Sequence, residues 1–285
     1  MDHRGRAGES RGQTIVRYSQ GDGPAAWGIL SGEDIASTTG DPFARGLTAT
    51  GTAGRIGKGG LTLLAPTAPS KIVAIGLNYL DHITGDAPGF TKPVTPIVFL
   101  KPPSSLVGSG AEIILPKGAE NIEAEAELAI VIGKRARYVR AEDAYDVILG
   151  FACANDVSAR DYQFSDNQWV RAKGFDTFSP VGPITTGIRA DDLSITARLN
   201  GATVQDSRTS MLLFDVPTLV AFVSRVMTLE PGDLIMTGTP AHPPKLAAGD
   251  EIEIAIEGLS PVRNRCVAES LPSGIAAKAT DDFEA

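Results

Sequence analysis

The sequence has little of what would mark a secreted, membrane or nucleic-acid-binding protein. It holds two cysteines, Cys153 and Cys266, in 285 residues, so no disulfide framework is available. Cys153 sits in an apolar run, residues 151–154, where a small buried hydrophobe is a simpler reading than a reactive thiol. This usage fits a reducing cytoplasm. No apolar run approaches the ~18 residues needed to cross a bilayer, so no membrane partner is expected. The opening MDHRGRAGESRGQ lacks an apolar core, which argues against a signal peptide or anchor, and residues 1–12 are expected to form a disordered tail. Basic charge is in deficit. There are 26 Lys and Arg against 34 Asp and Glu, a net charge of −8, and nucleic acid as a main partner is excluded because phosphate binding needs a basic face. A small anionic substrate is not excluded, since a metal and a few local cations can reverse the field inside one cleft. GRIGKGG at 54–60 lacks the spacing of a phosphate-binding loop, and no GxSxG, HExxH or strand-linked GxGxxG occurs.

What is present reads mainly as strands. TIVRYS and AAWGIL flank a turn at 21–24, residues 36–60 are rich in Gly and Thr without a strong period, and the prolines at 66 and 69 mark a joint between a small N-terminal domain (13–68) and the rest. Beyond it, Lys71–Gly76, PIVFLK, AEIILP, EAEAELAIVIG, VILGFACAND, SITARLNG, ATVQDS and DEIEIAIEGL read as strands. Asn200-Gly201 is a strong hairpin signal. Residues 78–83 suggest a short helix and 85–96 a loop. Val216–Met227 has helical spacing behind Asp215, a good N-cap, with proline expected at the first helical position. Strands dominate without regular strand–helix alternation, which excludes a doubly wound sheet and predicts a β-rich α+β fold.

Four constellations can carry chemistry. On a strand, residues two apart share a face, so Glu123, Glu125 and Glu127 form an acidic row entering an apolar core. Stacked like charges are costly there, and a divalent cation removes the cost. Asp156 ends the next apolar strand and joins the row if the two strands are neighbours. Carboxylates without Cys or His suit Mg²⁺ or Mn²⁺, with Ca²⁺ as a further option; the competing reading is a solvated acidic face. His82 follows GLNYLD and is the best placed of three histidines for proton transfer near neutral pH, unless it merely caps a short helix or fills a cleft wall. Arg160, Gln163 and Lys173 could clamp a carboxylate or an oxyanion, or form surface salt bridges. Met236–Pro240 is a strand running into a tight turn whose amides could form a small anion nest.

Read in order, IGLNYLDH (75–82), PIVFLKPPSSLVGSG (96–110), EAELAIVIGK (125–134), GFACANDVSARDYQ (150–163), AKGFDTFSPVGP (172–183), NGATVQDSRTSMLLFDVPTLVAFVS (200–224) and LEPGDLIMTGTPA (229–241) resemble the fumarylacetoacetate hydrolase family. The resemblance implies a mixed β-roll or sandwich core with a small N-terminal β domain, a catalytic domain at 69–272, a C-terminal tail at 273–285 and a homodimer. It implies a Mg²⁺ or Mn²⁺ site at Glu125, Glu127 and Asp156, leaving Glu123 outside. Arg160, Gln163, Tyr79 and Thr239 then line the substrate cleft, while His82 and Lys173 act on a small oxo-acid substrate. Family members cleave C–C bonds of acylpyruvate-type acids, decarboxylate oxaloacetate, or isomerise related dienoates. The leading expectation is a hydrolase or lyase; a decarboxylase or an isomerase/tautomerase is the alternative, and a non-catalytic binding homologue a third. Two positions depart from the pattern. The glutamate often found three residues after the histidine is Gly85, with Asp86 beside it as a substitute, and His242 replaces a glycine after TGTPA.

Overall fold

The structure, a computed structural model, describes residues 12–85 and 91–270. The expected tails at 1–12 and 273–285 fall outside these residues, apart from Gly12, as does Asp86.

Strands dominate, in two main sheets. The larger has eleven strands. Its centre is Ala126–Ile132, paired antiparallel with Ile148–Asn155 on one side and Leu234–Met236 on the other. Leu234–Met236 runs parallel to Ile72–Gly76, which pairs with the edge strand Ile97–Lys101. In the other direction Ile184–Thr185 links the centre to an N-terminal meander, through Thr14↔Thr185 and Ile15↔Ile184. The small N-terminal unit is thus continuous with the main sheet.

Every residue of Ala126–Ile132 is buried, which explains its unbroken apolar text: a strand covered on both faces needs no alternation. The pleat sends Leu128, Ile130 and Ile132 to one core, with Phe151 and Cys153. Ala129 and Val131 enter another core on the opposite face, beside Ile72, Ala74, Leu234 and Met236. The first core is closed by a five-stranded sheet contributing Ile195, Ala197, Ile252 and Ile254. Within that sheet Asn200 (φ 50°) and Gly201 (φ 84°) make the expected hairpin turn, a type I′ geometry that needs left-handed backbone at both positions. The helix Val216–Val226 buries Leu219, Val220 and Val223 against the same core. Asp215 caps it by accepting from Thr218 N at 2.9 Å, and the proline occupies the second helical position rather than the first.

Two sequence expectations change. The Gly/Thr-rich stretch at 36–60 forms an antiparallel pair, Asp34–Asp41 with Gly46–Arg55. Most of its residues face solvent, so no buried face imposes a period of two on the text. The acidic strand is also not continuous: Ile122–Glu123 and Ala126–Ile132 are separate strands. At the break, Ala124 N donates to Pro244 O (2.9 Å) and Glu125 N to Asn155 Oδ1 (2.9 Å).

Candidate metal centre

Glu127 lies opposite Ala154 in the central ladder and Ala126 opposite Asn155, so the two strand ends bring Glu125, Glu127 and Asp156 together where the sheet opens. Asp156 N donates to Glu125 O at 3.0 Å, tying the ends to each other. One carboxylate oxygen from each of the three acids lies within 4.8 Å of the others. Their residue exposures are 4%, 1% and 1%, so this is not a solvated acidic face.

Cations surround the cluster unevenly. Lys173 Nζ bridges Glu125 Oε2 (2.8 Å) and Asp156 Oδ2 (2.7 Å). Lys101, fully buried, pairs with the other oxygen of Asp156 and donates to Phe178 O at 2.7 Å. Arg160 Nη2 lies 2.6 Å from Glu125 Oε1. None of these three cations forms an ion pair with Glu127, which accepts from Gly238 N at 2.8 Å. Burial would push the Glu125 carboxyl up, but Lys173 and Arg160 overcome it and hold Glu125 well below the usual carboxylate range. Glu127 moves the opposite way. Burial, then the charges of Asp156 and Glu125, raise it well above that range. Burial also lowers Lys101, whereas Asp156 and Glu125 outweigh burial at Lys173 and raise it. Three oxygen donors at close range, one without a cationic partner, fit a hard divalent cation.

The cavity beside the cluster is lined by His82, Arg160, Gln163, Lys173 and Thr239, with Ile75, Gly76, Leu77, Phe99 and Trp169 as its less polar wall. His82 is carried by the short helix Leu80–Gly85, entered through left-handed Leu77 (φ 56°). Asn78 pins that entry, donating to Phe214 O (3.0 Å) and Thr237 O (2.8 Å) and accepting from Phe214 N (2.8 Å). Gly238 has φ 98°, and a Cβ there would stand 2.7 Å from Asn78 Cβ, so the turn requires glycine. Its amide, in the turn that could form a small anion nest, is engaged by Glu127 instead. Thr239 is held by Gln205 Nε2 at 3.1 Å.

Most predicted site residues therefore meet in one place. Tyr79 does not line the cavity: it is fully buried, within electrostatic reach of Glu127. His242 is exposed and does not line the cavity either. Sequence reasoning passed over Lys101, Phe99, Trp169 and Gln205. A lysine closing the apolar strand Ile97–Lys101 was the one available signal for Lys101, since a cation at such a place needs a buried partner.

A mixed sheet that opens onto a buried Glu–Glu–Asp cluster defines a class of β-rich proteins carrying the donor set for a divalent cation. The chain belongs to the fumarylacetoacetate hydrolase family, a family of enzymes. Residues 71–267 match its domain, described as fumarylacetoacetate (FAA) hydrolase C-terminal, and residues 14–66 match one described as Rv2993c-like, N-terminal. Human mitochondrial oxaloacetate tautomerase FAHD2A is 42% identical over 221 residues, covering 73% of this chain and 70% of that one. The crystal structure of 5-carboxymethyl-2-hydroxymuconate delta-isomerase from Mycobacterium smegmatis is 38% identical, with TM-score 0.81 and coverage of 90% and 100%. Maleylpyruvate hydrolase from Sphingobium sp. SYK-6, crystallised with manganese(II) and pyruvate, is 30% identical, with TM-score 0.73 and the same coverage. Among the described residues no helix is long and apolar enough to cross a membrane.

Proposed function

We propose that this chain is a Mg²⁺- or Mn²⁺-dependent enzyme that shifts a proton on a small 2-oxo acid, a tautomerase or isomerase of the oxaloacetate or hydroxydienoate type. Glu125, Glu127 and Asp156 hold the cation, which when bound acts as a Lewis acid toward adjacent oxo and carboxylate oxygens. Arg160 and Gln163 bind and orient the substrate carboxylate. Lys173 places a fixed positive charge where the substrate becomes more anionic. His82 takes a proton from the carbon beside the oxo group and delivers it to the enolate oxygen, or to the far carbon of a conjugated dienolate. Phe99, Trp169 and Leu77 keep water away from that carbon.

One observation carries the choice of reaction: the likeness to human oxaloacetate tautomerase (42% identical) and to the hydroxymuconate isomerase (38% identical) is higher than that to maleylpyruvate hydrolase (30% identical). His82 lines the cavity beside the three acids, where a group that carries a proton is needed for this branch. A second reading, hydrolysis of a C–C bond in an acylpyruvate-type acid, is favoured by the likeness to maleylpyruvate hydrolase and by Asp86 next to Gly85. The layout proposed with either reading is a small N-terminal domain at 13–68, a catalytic domain at 69–272 and a homodimer.

Assays of enol–keto exchange of oxaloacetate, its decarboxylation and acylpyruvate cleavage, run side by side, separate the branches. Enol–keto exchange should be fastest. Acylpyruvate cleavage that is faster, and is lost in Asp86→Ala, establishes the second reading. If all turnover survives in Glu127→Ala, neither reading stands.

A further inference from the structure

Glu123 is the one member of the acidic row outside the ligand set, and the geometry around it is specific. The ribbon Ile122–Glu123 with Ser158–Ala159 sets Glu123 opposite Ser158, and Arg160 N donates to Asn121 O at 2.8 Å. Asp161 Oδ2 accepts from Glu120 N (2.7 Å) and Asn121 N (2.8 Å), fastening the same two segments a second time. On this small frame the Arg160 guanidinium is held from three sides. Glu123 Oε2 takes Nε at 2.7 Å, Gln163 Oε1 takes Nη1 at 2.6 Å, and Glu125 Oε1 lies 2.6 Å from Nη2.

These three contacts differ in kind. Glu125 has a competing role in the ligand set, and Gln163 is a neutral acceptor that an anion can displace. Glu123 borders neither the cavity nor the cluster, and its carboxylate is fully available to Nε. Held at Nε, a planar guanidinium has a fixed direction for its two terminal nitrogens, the edge that grips a carboxylate with two parallel bonds. We propose that Glu123 is a positioning residue: it fixes Arg160 so that Nη1 and Nη2 face the cavity and receive the substrate carboxylate. This rests on the reading of Arg160 as a carboxylate clamp. It also gives the third glutamate of the row a role distinct from metal binding.

The test uses the full chain loaded with Mn²⁺, with oxaloacetate as substrate and oxalate as a binding probe. Glu123→Ala should raise KM and the oxalate dissociation constant about tenfold, with kcat falling less than threefold and Mn²⁺ affinity changing less than twofold. Glu123→Gln, which keeps an acceptor for Nε, should recover most of the loss and leave about a threefold effect. A residue that only supports the fold would lower the melting temperature and the active fraction without separating KM from kcat. Wild type that binds oxalate, with Glu123→Ala binding it equally well, overturns the positioning role and leaves the clamp standing. Weakening by Arg160→Lys but not by Glu123→Ala overturns the positioning role in the same way. A wild-type protein that takes up Mn²⁺ but no oxalate overturns both.

Discussion

Two buried acidic sites in this chain can be set side by side, and they solve the same physical problem differently. Asp233 is fully buried, yet it is satisfied: it accepts from Ser70 N (2.9 Å), Ser70 Oγ (2.7 Å), Lys71 N (3.2 Å) and Glu230 N (2.8 Å), and pairs with the Lys71 ammonium. One charge meets four hydrogen-bond donors and a cation, and separate segments of the chain are tied together. The Glu125–Glu127–Asp156 cluster is equally buried but incomplete. Lys101, Lys173 and Arg160 are divided between Asp156 and Glu125, while Glu127 has one backbone amide and a carboxyl raised by burial and its neighbours. A buried charge must be paired or neutralised. The first site meets that demand from within the fold; the second would meet it in full with a divalent cation bound. Completeness of pairing, more than burial, separates an acid that holds the structure from acids that hold a ligand.

That contrast can be broken in several ways. The largest effect is expected from Glu127→Gln, which should cut metal-dependent turnover about a thousandfold, equivalent to about 4 kcal/mol. The metal-free melting temperature should not fall, because the variant replaces a carboxyl that burial already drives toward its neutral form; steady-state assays and calorimetry read the two halves. Asp233→Ala should do the reverse. It leaves buried donors unmet and should cost about 3 kcal/mol in a denaturant titration, while Mn²⁺ uptake per folded chain stays as in the wild type.

A third effect is on pH. The cation binds ionised Glu127, whose carboxyl is raised in the metal-free protein, so binding releases a proton. Affinity should therefore climb with pH, by up to about tenfold per unit, and flatten once Glu127 is ionised in the free protein. Isothermal titration at several pH values reads that slope, and a flat profile through the acid range would leave the Glu127 argument without content. The smallest effect is for Glu123→Gln, whose Mn²⁺ affinity should change by less than about twofold because its carboxylate serves Arg160. A loss as large as that for Glu125→Gln would show that the row is read in the wrong register.

The legibility of the fold and the site in the sequence divides along the same line. Segments buried on a face announced themselves: the strands around Ala129 and Phe151, the Asn200-Gly201 turn and the Asp215 cap all arise from local chemistry. The hairpin at Asp34–Arg55 did not, because a largely solvent-facing pair leaves no periodic mark. Glu125, Glu127 and Asp156 were reachable only through the ordered resemblance, since spacing by itself also allowed a surface acidic row. Lys101 escaped notice because its partner is 55 residues away, and long-range pairing writes no pattern into the local text. Tyr79 lies off the cavity wall beyond a left-handed Leu77, and leucine carries no signal for that conformation.

The central claim is that the second acidic site is a divalent-cation site, and a direct test is the titration of metal-stripped protein with Mn²⁺, following the electron-paramagnetic signal of the free ion. One ion should bind per wild-type chain and none per Glu127→Gln chain at the same protein concentration, with both proteins folded. Equal uptake by the two, or none by the wild type, would contradict it.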